Sequence, residues 1–179
     1  MSKKIHWSKQ VQLDIRIIKE LEGKWEVRFP KEYVDTVLNH DGSKPNVIDQ
    51  QGEWIPGVVE VPGKFTWGFQ LLSLIEKEVL GRILSPIERS YGTVSDALPK
   101  KVYPFAINGS GDRFLFDFRE DENNPKIVFQ NHEDLILETE LTEEELEEKS
   151  LEEWQDETLF FVSASFEEFL NSIQPSEID

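Results

Sequence analysis

The chain has 179 residues and no cysteine, and its 36 acidic side chains outnumber 19 basic ones, giving a net charge of −17. This length predicts one domain with a sizeable core, and the lack of cysteine excludes disulfides, thiolate metal sites and a cysteine nucleophile. So acidic a surface repels a phosphate backbone, which argues against nucleic-acid binding. The acidity either favours a basic protein partner or serves only to keep the protein in solution.

The first ten residues, MSKKIHWSKQ, lack the apolar core of a signal peptide. No run in the sequence approaches the roughly eighteen apolar residues of a membrane span. We therefore expect a cytoplasmic protein that does not enter a membrane, and a cysteine-free composition fits a reducing compartment.

The N-terminal part predicts two helices. Residues 9–21 have apolar side chains at helical spacing and follow Ser8, a suitable N-cap. A short extended segment should follow Gly23. Pro30 suits the first turn of a second helix that ends near residues 41–42.

The next stretch predicts strands and then a third helix. Residues 47–48, 53–61 and 66–72 favour strands, and because Pro56 and Pro62 cannot donate ladder hydrogen bonds, we expect those strands at an edge or a bulge. Apolar residues at helical spacing predict a helix over residues 72–87, which Pro86 should break or kink. Residues 91–101 predict a loop.

Residues 104–130 carry the clearest strand pattern of the chain. Apolar side chains alternate in three short runs, which predicts an antiparallel meander: Phe105 and Ile107; Phe114, Phe116 and Phe118; Ile127 and Phe129. Residues 108–112 (NGSGD) and 121–125 (DENNP) are typical turns. We expect Phe116 to face the core, so that Phe116→Asp unfolds the protein. Asp117 should face solvent or an arginine, so that Asp117→Ala has little effect.

The meander also carries a family resemblance. The pattern from Pro104 to Asp117, PFAINGSGDRFLFD, followed by the strand at 127–129, resembles the central signature of the SUKH superfamily. This superfamily contains the fungal Smi/Knr cell-wall-assembly regulators and many bacterial immunity proteins. Residues 29–42 are similar to a helix of the superfamily whose motif contains a leucine-proline pair, a tyrosine, a leucine and an asparagine-glycine pair. In this sequence Phe29 replaces the first leucine, and residues 40–41 separate the asparagine from the glycine. Residues 165–170 are similar to its closing helix.

Residues 138–157, which we call the acidic segment, contain eleven acids and one base, Lys149, and supply a net −10 of the total −17. Thr142 and Glu145 form a capping box, and Leu146, Leu151 and Trp154 give only a thin apolar stripe. These features predict a weakly anchored helix or a mobile loop. A last strand (159–162) and a last helix capped by Ser165 should follow, with the final six residues frayed.

The sequence partly matches some catalytic and ligand-binding motifs, but each match lacks residues that the motif requires. The loop at 108–112 lacks the third glycine of a dinucleotide loop and the later ligands of a calcium loop. His6, His40 and His132 are far apart in sequence and favour surface or turn roles. Asp112 and Asp117 could form a carboxylate pair across a tight hairpin, but Asp112 is a natural turn residue.

Trp54 and Trp67 fall on neighbouring predicted strands. Such aromatic residues either line a partner surface or, more commonly, fill a core. Both interpretations stay open at this point.

Together these patterns predict an α+β protein, a single domain over residues 1–179, with the family likeness strongest over 9–173. We expect a mostly antiparallel sheet of about six strands and helices packed mainly on one face. The function indicated is a protein-binding module that is not an enzyme and holds no cofactor or metal. Its candidate partner-binding residues are Glu143, Glu144, Glu147, Glu148, Trp54 and Trp67.

The resemblance implies an immunity protein that binds and neutralises a cognate toxin, often a nuclease. A regulatory scaffold of the cell-wall-regulator type is the alternative, and a small hydrolase using Asp112 and Asp117 is a third hypothesis. The sequence leaves the oligomeric state open.

Overall fold

The structure is a computed structural model that describes residues 4–63 and 65–176. Over these residues the chain is α+β, as predicted. The helices are α1 (Ile15–Trp25), α2 (Lys31–His40), α3 (Pro86–Val94), α4 (Glu143–Glu148), α5 (Leu151–Asp156) and α6 (Phe166–Ser172). The strands are β1 (His6–Trp7), β2 (Pro45–Ile48), β3 (Trp54–Glu60), β4 (Thr66–Gly68), β5 (Gln70–Leu71), β6 (Lys77–Val79), β7 (Arg82–Leu84), β8 (Val102–Ile107), β9 (Arg113–Asp117), β10 (Lys126–Gln130), β11 (Leu159–Ser163) and β12 (Gln174–Pro175).

The strands are divided between two larger sheets and a hairpin, where the sequence suggested one sheet of about six strands. The first sheet has the order β1-β2-β3-β12, with β4 also paired to β3. The second has the order β11-β10-β9-β8-β5, and β6 pairs with β7. The pairings within the described residues are antiparallel.

The predicted meander is confirmed as β8, β9 and β10, the centre of the second sheet. Phe116 lies opposite Tyr103 on one side and Ile127 on the other. It is fully buried, and its ring stacks on Phe105 with the ring centroids 4.3 Å apart. The alternation of apolar residues therefore gave the correct strand phase.

Both faces of the meander are covered, but unequally. The main core lies on the Phe105 and Phe116 face, where side chains from α1, α2 and α6 pack against the sheet. A smaller cluster covers the opposite face and consists of Val94, Leu98, Val102, Leu115 and Val128. Leu98 follows the 3-10 turn Ser95–Ala97, so residues 91–101, predicted to be a loop, are largely the end of α3 and this turn.

The first helix begins later and ends later than predicted. Asp14, and not Ser8, is its N-cap, accepting a hydrogen bond from the backbone N–H of Arg16. The Ser8 hydroxyl instead accepts from the N–H of Lys44. The helix continues through Gly23 to Trp25, whose ring stacks on Tyr103 at 4.3 Å, so packing overrides the helix-weakening glycine.

Pro56 does not place β3 at an edge, and Pro62 lies in the turn after this strand. This strand is internal to the first sheet, with β2 and β4 on one side and β12 on the other. Pro56 is tolerated because β12 ends beside it, and its carbonyl accepts from the N–H of Ser176. Residues 174–175, expected to be frayed, form β12. Residues 177–179 lie outside the described part of the chain.

The helix predicted over residues 72–87 is wrong. The β6–β7 hairpin occupies its centre, and α3 starts at Pro86 with Ser85 as N-cap. The hairpin turns at Leu80 and Gly81, whose φ angles of 53° and 75° are incompatible with a right-handed helix. Leu80 is 98% exposed and Ile83 62% exposed, so helical spacing of apolar residues here did not reflect burial.

Asp41 explains one departure from the family motif at the end of α2. It is buried and accepts hydrogen bonds from the hydroxyl of Ser73 and the N–H of Leu74. Burial raises the pKa of Asp41, and these two donors partly offset that effect. The residue thus fixes the chain after β5 against α2.

Candidate partner-binding surface

The signature loop, residues 108–112, is held by hydrogen bonds of the Asn108 and Asp112 side chains. The Asn108 side-chain oxygen accepts from the backbone N–H groups of Ser110 and Asp112 at 2.9 Å each. The buried Asp112 carboxylate accepts from Asn108 Nδ2, from the His132 backbone N–H and at 2.7 Å from His132 Nδ1. Burial alone would raise the pKa of Asp112, but these donors outweigh it and the pKa is lowered. Asp112 therefore anchors the loop to the residues that follow β10.

Asp112 and Asp117 are not a carboxylate pair. Asp112 lies immediately before β9 and Asp117 is its last residue, which at about 3.3 Å per strand residue places them about 16 Å apart. Each has its own cationic or donor partners, His132 for Asp112 and Arg119 for Asp117. The arrangement expected of a glycosidase-type pair is absent from these two residues.

The sequence predicted that Asp117 faces solvent or an arginine, and the structure shows the second arrangement, with Asp117 buried against Arg119. Arg119 binds both of its carboxylate oxygens, with Nε 2.9 Å from Oδ1 and Nη2 2.7 Å from Oδ2. Burial opposes ionisation of Asp117, but the hydrogen bonds and charge of Arg119 exceed that effect and lower the pKa of Asp117. Asp117→Ala is therefore expected to destabilise the protein.

The acidic segment folds as two short helices, α4 and α5, joined at Lys149 and Ser150. Both start with a complete capping box, Thr142 with Glu145 as predicted and Ser150 with Glu153. Each box satisfies backbone donors at the start of a helix and concentrates negative charge there, where the helix dipole favours it. The segment is thus regular despite its thin apolar stripe.

Contacts within the segment fix α4 against α5. The indole N–H of Trp154 donates to the Glu145 carbonyl at 3.0 Å. Lys149 Nζ lies 4.4 Å from the centroid of the same ring and also pairs with Glu157. A cation over an indole adds attraction beyond the apolar contact. These contacts hold a segment that the sequence suggested would be weakly anchored.

Two further side chains tie the segment to the rest of the protein. Arg119 Nη2 reaches Asp156 at 2.6 Å while it holds Asp117. The buried Gln155 donates to the carbonyls of Asp96 and Ile136 at 2.9 and 3.2 Å. The sequence predicted an arginine partner for Asp117 but not the contact of Arg119 with Asp156 or those of Gln155, because these partners are distant along the chain.

The four predicted contact acids share one exposed surface. Glu143, Glu144, Glu147 and Glu148 are all exposed on α4. The structure therefore leaves these carboxylates accessible to solvent on a helix that is fixed to the rest of the segment.

The two tryptophans are not brought together. Trp54 is 40% exposed at the start of β3 and lies 5.3 Å from the His6 ring. Trp67 lies opposite the fully buried Val59 and packs against the main core. Residues 54 and 59 are five positions apart on β3, so their side chains point to opposite faces of the sheet. Trp67, which pairs with Val59, therefore lies on the face opposite Trp54. Trp54 remains a surface candidate, and Trp67 contributes mainly to the core.

The histidines occupy three separate places. His6 lies beside Trp54, His40 Nδ1 is 2.9 Å from the Lys9 carbonyl, and His132 contacts Asp112. Among the residues that the structure describes, no group of three or more His, Asp or Glu side chains is arranged to hold a metal ion. Within the same residues, no helix is long and apolar enough to cross a membrane.

Comparison with known proteins agrees with the family resemblance. A search of curated proteins found no match. The family model described as "SMI1 / KNR4 family (SUKH-1)" matches residues 13–172, which include the meander, α2 and α6. The chain belongs to the SMI1/KNR4 (SUKH-1) family.

Proposed function

We propose that this chain is a non-enzymatic immunity protein that binds a basic toxin domain through its acidic segment. One observation carries the proposal: the segment with a net charge of −10 is a fixed pair of helices whose outward acids are free to meet a partner. A mobile acidic tail would lose entropy on binding, whereas this segment is already ordered.

Charge supports the same choice of partner. Nuclease toxins need a basic groove for their phosphate substrate, and an acidic protein is steered toward such a groove and competes for it. We expect the protein to act in the cytoplasm, where an immunity protein would meet an incoming toxin.

The environments of Asp112 and Asp117 favour a structural role for both carboxylates over a catalytic one. Asp112 serves to hold a loop, and Asp117 is neutralised by Arg119. Neither retains a free face at which a substrate could be activated. The hydrolase hypothesis therefore loses the two residues on which it depended.

Affinity capture from the native cell tests the proposal. Tagged wild-type protein should retain a basic protein, identified by mass spectrometry, that is toxic when expressed alone in a bacterial host and harmless when co-expressed with this chain. The matched control is the variant with Glu143, Glu144, Glu147 and Glu148 changed to Lys, which should retain less of it. A captured set of non-toxic host proteins would replace the proposal with the regulatory-scaffold function.

A further inference from the structure

A groove separates the acidic segment from the turn that follows α3. Its volume is about 560 Å³, and its apolar lining consists of Leu98, Pro99, Leu137 and Leu151. We name it the Leu137 groove, after the apolar residue that is 37% exposed at its rim. It lies over the smaller core cluster, to which Leu98 belongs.

The groove is preformed because one buried side chain joins its walls. Gln155 on α5 donates from a single Nε2 atom to the carbonyl of Asp96 in one wall and to that of Ile136 in the other. Its side chain is 3% exposed, so these bonds are shielded from water. A groove held in this way loses little conformational entropy when it is filled.

The rim of the groove is negative. Asp96, Glu138 and Glu152 line it and are exposed, and Lys100 is the one base in the lining. An apolar floor with a net negative rim suits an apolar side chain flanked by lysine or arginine. The same groove disfavours an acidic peptide, whose charges would face the rim carboxylates.

We propose that the Leu137 groove receives a short basic segment of the partner, with one aliphatic side chain inserted between its walls and flanking bases on its rim. This inference rests on the proposed function and deepens it by naming the recognition element on the partner. The outward acids of α4 then act at long range to speed encounter, while the groove slows dissociation of the docked complex.

A second copy of this chain is the competing occupant. The tip of the β6–β7 hairpin offers the exposed Leu80 close to Arg82, which is chemistry of the same kind. The net charge of −17 on each copy opposes that contact, whereas it favours a basic partner. We therefore assign the groove to the basic partner.

A defined peptide pair tests the groove without the natural partner. The probe is a blocked pentapeptide, Lys-Arg-Leu-Arg-Lys, and its control has serine in place of leucine. Titration into the isotopically labelled protein should shift the amide resonances of residues 96–100, 137–139 and 151–155, with the serine peptide binding at least about tenfold more weakly. Equal binding of the two peptides, or shifts confined to α4, would overturn the inference.

Two groove variants and a matched surface variant complete the test. Leu137→Ser removes an apolar wall and Thr139→Trp fills the space, and each should weaken leucine-peptide binding about tenfold or more. Leu80→Ser makes the same chemical change as Leu137→Ser at a site outside the groove and should leave binding unchanged. Circular dichroism melting verifies that all three variants are folded.

Sedimentation equilibrium decides between the two occupants. We expect a monomer at concentrations used for the titration. A concentration-dependent dimer that is lost in both Leu80→Ser and Leu137→Ser would show that a second copy of the chain occupies the groove, which would overturn the inference.

Capture from the native cell separates failure of the inference from failure of the proposed function. If Thr139→Trp retains the basic toxin as well as wild type while the charge-reversed α4 variant loses it, the groove inference is wrong and the proposed function stands. If wild type retains no basic protein, the proposed function is wrong, and the peptide titration still decides what the groove binds.

Discussion

Arg119 joins the buried Asp117 to Asp156 on α5 through one nitrogen, Nη2, at 2.7 and 2.6 Å. The Asp117 side chain has no exposed surface, whereas that of Arg119 is 22% exposed. One guanidinium therefore neutralises a buried charge at the end of β9 and at the same time positions the acidic segment. Fold stability and the orientation of the proposed contact surface depend on the same residue.

Asp117→Ala is expected to lower the free energy of unfolding by about 3 kcal/mol, because it removes one member of a buried ion pair and leaves the arginine partly uncompensated. Urea denaturation measures the loss. Glu120→Ala is the matched control, since Glu120 is an acid on the same turn whose side chain is 77% exposed and pairs with Lys126 at 2.8 Å. That control should stay within about 0.5 kcal/mol of wild type. Equal stabilities for all three proteins would mean that Asp117 faces solvent.

The contribution of Asp117 should depend on pH in a defined direction. Arg119 lowers the pKa of Asp117 in the folded protein, so its stabilisation is present above the ordinary aspartate pKa of about 4 and is lost as the pH falls through the lowered value. The stability difference between wild type and Asp117→Asn should therefore be largest near neutral pH and shrink below about pH 4. Urea denaturation at a series of pH values measures this difference. A constant difference down to about pH 2 would contradict this account.

Phe116→Ala should cost about 3–5 kcal/mol of stability, because it opens a cavity at the centre of the aromatic core. Phe161 on β11 is 54% exposed, and Phe161→Ala is the matched control. Chemical denaturation of the two variants should differ by at least about 2 kcal/mol. Similar values would show that the burial of Phe116 is wrong, and with it the strand phase.

Leu80→Asn should stabilise the hairpin. Leu80 and Gly81 both have positive φ, which is the backbone of a type I′ turn, and Asn-Gly is the preferred sequence for it. The gain should reach up to about 1 kcal/mol, since leucine in the left-handed region is disfavoured by roughly that much. Slower hydrogen exchange of the β6 and β7 amides measures it. Ile83→Asn, at an exposed strand position of the same hairpin, should give no such gain.

Reversal of charge on α4 tests long-range steering. Changing Glu143, Glu144, Glu147 and Glu148 to Lys should slow association with the captured partner by about tenfold or more at low salt. The difference should shrink as salt is added, because the Debye length is only about 8 Å at physiological ionic strength. Stopped-flow mixing measures the rate. Equal rates at low salt would assign recognition to other surfaces, such as that around Trp54.

The parts of the fold that sequence predicted are those in which local pattern and burial agree. In the meander, Phe116 and its neighbours alternate with period two and face one core, so the pattern was decisive. In residues 72–87 the apolar spacing was helical, yet Val79, Leu80 and Ile83 are exposed, and the turn lacked the usual Asn-Gly signal. Apart from Gly81 and Pro86, the local pattern did not distinguish this segment from an amphipathic helix.

The candidate surface was predictable only in its charges. The capping box at Thr142 and the density of acids located α4 and its exposed carboxylates. The Leu137 groove was not predictable, because its walls come from residues 95–100, 137–139 and 151–155 and are joined by Gln155 through carbonyls. Every residue has a backbone carbonyl, so the sequence does not show which carbonyls accept hydrogen bonds. It also does not show the ion pair between Arg119 and Asp156, which are far apart along the chain.

The pairing of β12 with β3 constrains the order in which the protein can fold. Val58 lies opposite Gln174, and most of the chain, including the entire second sheet, separates them. Closing so large a loop is entropically costly and belongs late in folding. Until residue 175 has been synthesised, one edge of β3 has open backbone groups. A nascent chain therefore carries an unpaired strand edge from the synthesis of β3 to the synthesis of β12, and chaperones or misassembly can act on it during that interval.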